Sequence, residues 1–236
     1  MPQDKIDLIA KLLAKAESTT PEEAEALTEH AERLILKYGI EQAQLDAHRA
    51  RRGEAQEPIV KERMLFTGVY ARDLRELGIG VAGALGAVRP LIAEFPPTSV
   101  LYLVGCSSDV RQAMLLTSSL QVQATVAMRA WWVGVRDTYT WASESDRRRA
   151  RSGFLRGFAV GVVARMTESR RAAVAEAGHG TDLVLASRKE RVDAVVEQMH
   201  TRRARPRGGA DAGAFWDGHR SGREANTGER PVGAGR

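Results

Sequence analysis

The 236 residues are 43% hydrophobic, enough for a core in one medium domain or two small ones. The single cysteine, Cys106, excludes an internal disulfide and a multi-cysteine zinc site, and no apolar run approaches the roughly 18 to 20 residues needed to span a bilayer. The net charge of +5 divides into −3 over residues 1–63 and +8 over residues 64–236, an asymmetry that points to polyanion contact through the second part, although Arg, Ala and Gly richness also fits a high-GC genome.

Residues 4–16 place Ile6, Ile9, Leu12 and Leu13 on one stripe and Lys5, Lys11 and Lys15 elsewhere, which predicts an amphipathic helix. The charges running through this first segment argue against a signal peptide or anchor, so the expectation is a cytoplasmic chain with no membrane partner. In "STTPEEAEALTEHAERLILKYGI", Thr20 reads as an N-cap, Pro21 as the first helical residue and Glu23 as the capping-box partner. Ala24, Leu27, Ala31, Leu34, Ile35 and Tyr38 form its apolar face, and Gly39 reads as the stop before a shorter helix over 41–50. Residues 49–63, charged and without period, read as a linker.

The next expected elements are a helix over 70–87 and strands over 88–95 and 99–105 joined through "PPT". A long helix is predicted from Ser107 or Ser108, and a second over 146–176. A third short strand at 183–186, a further helix and a short helix at 211–225 complete the reading. The fold class is therefore α+β and mostly helical: a helical module over 1–50, a linker over 51–63, an α+β domain over 64–200 with a small antiparallel sheet packed on a long helical hairpin, and an Arg/Gly-rich segment over 201–236.

The run "IAKLLAKAESTTPEEAEALTEHAERLILKYGI", with its Leu-Leu-Ala-Lys-Ala start, Thr-x-x-Glu-Ala-Glu turn and closing Lys-Tyr-Gly-Ile, resembles an uncharacterised helical domain of unknown function found near the N-termini of bacterial and phage proteins. That likeness covers residues 5–41. The later pieces "LYLVGCSSDVRQAMLLTSSL" and "FLRGFAVGV" are similar to a second uncharacterised domain, over about residues 65–225. The resemblance implies a phage or mobile-element setting and carries no catalytic residue.

Among candidate sites, "GIGVAG" (Gly78 to Gly83) has the spacing of a dinucleotide loop but follows a helical segment, so it reads as a packed small-residue helix. Gly105, Cys106, Ser107 and Ser108 lie where a strand enters a helix, a place for an anion or a reactive thiol. Its plain alternative is a capping serine beside a buried cysteine. The five histidines make no H-E-x-x-H, and the lone Glu197/His200 pair does not make a di-iron set, so no metal and no cofactor is expected. Two arginine clusters are the nucleic-acid candidates: Arg147, Arg148, Arg149 and Arg151 before the glycine helix, and Arg202, Arg203, Arg205 and Arg207 in "TRRARPRGG". Trp131, Trp132, Trp141 and Trp216 could stack on bases or pack in the core.

Three glycines, Gly153, Gly157 and Gly161, recur every four residues in a helical segment, where each costs about 1 kcal/mol against alanine. Their period excludes a phosphate loop and the flanking arginines exclude a membrane dimer. Close approach of another helix remains, with Gly218 and Gly222 as the counterpart. The functional expectation is a non-enzymatic accessory protein associated with nucleic acid through its arginines. Its alternatives are an enzyme or small-ligand binder using the turn at 105–109, and a structural homo-oligomer or protein-binding module.

Overall fold

The structure is a computed structural model that describes residues 2–16, 21–95, 98–199, 201 and 210–225. The described residues form seven α-helices and three β-strands, the mostly helical α+β class expected. Helices α1 (Pro2–Ala16) and α2 (Pro21–Arg51) form an antiparallel hairpin, tied at its two ends by Lys5–Glu41 at 2.6 Å and Lys15–Glu23 at 2.9 Å. Thr20, the expected cap, lies outside the described residues.

Helix α2 corrects the expected stop. It runs through Gly39 for 31 residues, and the separate helix over 41–50 is its second half. Ala43 and Asp46 are buried along the continuation, and this packing outweighs the intrinsic cost of one helical glycine.

Strand β1 (Ile59–Phe66) occupies part of the segment read as a linker. Its consecutive Lys61, Glu62 and Arg63 hide the period, but Val60 and Met64 pack against the core and Phe66 is buried. Strands β2 (Arg89–Phe95) and β3 (Thr98–Cys106) fall where the sequence put them. The sheet order is β1-β3-β2, antiparallel throughout, with Ile59 opposite Cys106, Phe66 opposite Ser99, and Arg89 opposite Val104. Pro96 and Pro97 of the connection lie outside the described residues.

Helices α3 (Ala71–Leu85) and α4 (Ser107–Val135) cover one face of this sheet, burying Phe66, Leu101 and Leu103 against Ala82, Val110 and Ala113. A Cβ at Gly78 would stand 2.8 Å from Leu101 Cδ2, so the glycine-rich run is a packing surface inside α3. Helix α5 (Glu144–Glu176) packs on α3, and α6 (Thr181–Glu197) touches α2, β2 and β3. α6 replaces the expected strand at 183–186. Thr181, Arg188 and Val192 are its buried residues, and the helical period is hidden because its central member is an arginine. Ile9 and Leu13 of α1 and Ala31 and Ile35 of α2 enter the same core as Leu77, Leu116, Phe154 and Phe158, so the hairpin and the later helices share one interior.

The last described helix, α7 (Ala212–Glu224), seats on α5 through the glycines. A Cβ at Gly157 would overlap the Phe215 carbonyl oxygen, and one at Gly161 the His219 carbonyl oxygen. From the other side, a Cβ at Gly218 or Gly222 would overlap the carbonyl oxygen of Phe154 or Phe158. The two backbones touch, and the expected counterpart is the observed one. Asp211 caps α7 by accepting from Ala214 N–H at 2.9 Å, and Trp131 Nε1 donates to Asp217 at 2.9 Å. Among the described residues, no helix is long and apolar enough to cross a membrane.

Candidate functional site

The strand-to-helix turn at 105–109 is filled by the chain itself. Cys106, not a serine, holds the N-cap position of α4, and its side chain makes no capping bond. The cap comes from Glu57, in the segment that leads into β1. Its Oε1 accepts from Ser108 N–H at 2.5 Å and from Ser107 Oγ at 2.8 Å, while Oε2 accepts from Ser108 Oγ at 3.0 Å. A carboxylate thus sits on the free N–H groups where an external anion would otherwise bind. Cys106 is fully buried, and burial pushes its thiol up to about 11, the opposite of what a nucleophile needs. Gly105, Cys106, Ser107 and Ser108 therefore form a closed structural joint.

Behind Glu57 lies a buried charge cluster that no short motif announces. Arg188 of α6, 3% exposed, donates from Nε to Asp109 at 2.8 Å and from Nη1 to Asp46 at 3.2 Å. Its Nη2 reaches Glu57 at 2.6 Å and Ser108 Oγ at 3.0 Å. Arg191, one turn on, donates to Asp46 at 2.5 Å and to the Glu57 carbonyl at 2.9 Å, and Glu57 N–H donates to Asp46 Oδ1 at 2.7 Å. Burial pushes the Glu57 carboxyl up, but Arg188, Ser107 and Ser108 together hold it below its ordinary value. Asp109 goes the other way: its burial outweighs the Arg188 guanidinium and raises its pKa. The cluster joins α2, the 54–58 segment, α4 and α6. Its only sequence trace is an arginine on the buried stripe of α6.

The expected arginine cluster at the start of α5 divides. Arg147 donates to the carbonyls of Tyr139 (3.2 Å) and Thr140 (2.8 Å), closing the 3-10 turn Arg136–Tyr139. Arg151 pairs with Glu144 at 2.6 Å and lies over the Trp132 ring, 4.9 Å from its centroid. These bonds answer why positive charge opens a helix against its dipole: the side chains fasten the preceding turn. Arg149 is paired with Asp146 at 3.4 Å. Arg148 is exposed, with one long bond of 3.4 Å to the Val69 carbonyl. It lines an open pocket of about 300 Å³ with Arg72, Asp73, Glu94, Ser99 and Ser152 at the first turn of α3, where Tyr70 provides no side-chain cap. Arg72 is shared there with Glu94 at 3.6 Å.

Arg202, Arg203, Arg205 and Arg207, together with His200, lie outside the described residues. Trp131 stacks on Phe154 with centroids 4.9 Å apart, and Trp132 packs on Tyr139, so the pair belongs to the packed interior. Trp141, 99% exposed, and Trp216 remain at the surface. No group of three His, Cys, Asp or Glu side chains able to hold a metal ion occurs among the described residues.

Residues 6–42 match the model of a family described as a protein of unknown function, DUF2786. The match falls on α1 and the larger part of α2, well under half of the chain, and agrees with the resemblance of residues 5–41. Neither the curated proteins nor the solved structures gave a match.

Proposed function

We propose that the chain is a non-enzymatic accessory protein of phage or mobile-element type that contacts nucleic-acid phosphates. The observation that carries this reading is the pocket of about 300 Å³ at the first turn of α3, where Arg148 has no carboxylate partner among the described residues and Arg72 stands beside it. A helix start with no side-chain cap beside two guanidinium groups suits a phosphate oxygen, with the two carboxylates of the lining, Asp73 and Glu94, engaged by Ser152 and Arg75. The +8 net charge of residues 64–236 supports the same direction, and the four arginines between 202 and 207 supply a second contact in this reading. The phage setting rests on the resemblance of residues 5–41 and, more loosely, of about residues 65–225. The non-enzymatic part rests on the closed turn at 105–109 and the buried, high-pKa thiol.

The test is binding of the full chain to single- and double-stranded oligonucleotides across a salt series. The expected result is a steep fall of affinity with salt, with each phosphate-contacting arginine replaced lowering the log–log slope by about one. Arg148→Ala and the fourfold change of Arg202, Arg203, Arg205 and Arg207 to Ala should each reduce it. Salt-independent binding, or none at about 50 mM salt, removes the reading.

A further inference from the structure

The indole of Trp141, in the connection between α4 and α5, is 99% exposed and has no ring, ion or hydrogen-bond partner among the described residues. Tryptophan is a highly buried residue type on average, and the other three are used differently here. Trp131 and Trp132 pack on Phe154 and Tyr139, and Trp216 keeps ring contacts with Phe215 and His219.

An exposed ring on a loose loop would mean little, but this turn is fastened on both sides of residue 141. Thr138 Oγ1 donates to the Val135 carbonyl at 2.7 Å and Thr140 Oγ1 to the Asp137 carbonyl at 2.6 Å. Ala142 N–H donates to the Tyr139 carbonyl at 3.1 Å, Arg147 holds the Tyr139 and Thr140 carbonyls, and the Ser143 cap of α5 follows directly. The fold fixes the backbone here and leaves the indole in water. Such a ring is a ready stacking face, because little order has to be imposed when a ligand arrives. The charges around it select the ligand. Residues 136–151 hold five arginines against Asp137, Glu144 and Asp146. Arg148, which has no carboxylate partner among the described residues, is seven positions on. Three extended steps and the first turn of α5 keep the two Cα atoms within about 17 Å, a reach of a few nucleotides along one strand.

We propose that the α4–α5 turn selects single strands: an unpaired base stacks on Trp141 while a nearby phosphate of the same strand is held at Arg148 and Arg72. This inference rests on the reading of the pocket at the first turn of α3 as a phosphate site, and adds which form of nucleic acid that site takes. Every base has a π face, so the contact tolerates any sequence. In a duplex those faces are covered by their neighbours in the stack, and only the phosphate contact remains.

The experiment is a polarisation titration of the full chain with three labelled DNAs of equal length: an oligodeoxythymidine strand, an abasic strand and a duplex. Oligodeoxythymidine should bind most tightly. Trp141→Ala should weaken it about tenfold and leave the abasic strand and the duplex as they were. The salt slope should not change, because stacking releases no counterions. Trp141→Phe, which keeps a ring, should restore most of the affinity. The side chain is 99% exposed, so neither variant should shift the thermal midpoint. Three results would overturn the proposal: Trp141→Ala binding oligodeoxythymidine as tightly as the parent; a loss shared equally by the abasic strand and the duplex; or a Trp141-dependent emission shift with phosphatidylserine vesicles and none with oligodeoxythymidine, which would give the turn to a membrane surface. If the parent chain binds none of the three DNAs, the phosphate reading falls and this inference with it. If all three bind with steep salt dependence and Trp141→Ala changes nothing, the phosphate reading stands and stacking alone is lost.

Discussion

Arg188 holds three carboxylates from three separate parts of the chain, and its removal leaves Asp46, Glu57 and Asp109 facing one another with only Arg191 between them. Replacement of one partner in a buried ion cluster costs about 3–5 kcal/mol. Arg188→Met should show a loss of that order in the urea midpoint at neutral pH, with an unchanged m-value. A variant as stable as the parent would mean that water enters and solvates the cluster. The role of Arg188 is not legible in the sequence because its partners are 79 to 142 positions away and share no spacing rule. Glu57 was hidden for a related reason. Helix caps are sought next to the helix, and this one arrives from a segment about 50 residues earlier in the chain. The burial of Cys106 belongs to the plainer of its two readings, but the capping serine of that reading is replaced by Glu57.

At the scale of elements, the α5–α7 seam is the feature the sequence announced most clearly, because glycines at a four-residue spacing in a helix need a reason outside the helix. Gly157→Ala should destabilise by about 1–3 kcal/mol or more, since the new Cβ meets the backbone at Phe215 and His219, which cannot swing aside. Gly134→Ala in α4 is the control: nothing lies within 4 Å of its Cβ position, and it should stabilise by about 0.5–1 kcal/mol. Thermal midpoints of the two variants moving in opposite directions would check the seam; a neutral Gly157→Ala would disprove it. The misread elements share one cause. β1 and α6 each carry charged residues at positions that decide their period, Lys61 to Arg63 in the strand and Arg188 in the helix. An apolar pattern loses the signal wherever a charge is the buried member. At Gly39 the local stop signal is overridden by the buried side chains that follow it in α2.

For the whole molecule, the charge cluster makes stability depend on pH with two opposed signs. Glu57 is held below its ordinary 4.5, so its contribution is complete above that value and is lost as pH falls through the lower folded value. Glu94 and Asp193 are held low as well, by Arg75 and Arg89, and lose their contributions in the same direction. Asp109 is raised above its ordinary 3.8, so it costs stability while ionised and that cost is relieved as pH falls through its folded value. A thermal-midpoint series should therefore drop below about pH 4.5 as the carboxylates that are held low become protonated. Glu57→Gln should flatten the drop, and Asp109→Asn, which removes the opposing relief, should steepen it.

The seam between α5 and α7 also has a consequence in time. α7 is synthesised after every other described element, about 50 to 60 residues beyond the glycines it covers. Until residues 212–224 leave the ribosome, α5 presents a strip of bare backbone flanked by Phe154 and Phe158, both of which end fully buried. The core is thus built with one side open and closed by the last of the described helices. A chain stalled before Asp211 would expose a smooth, sticky groove shaped for a helix.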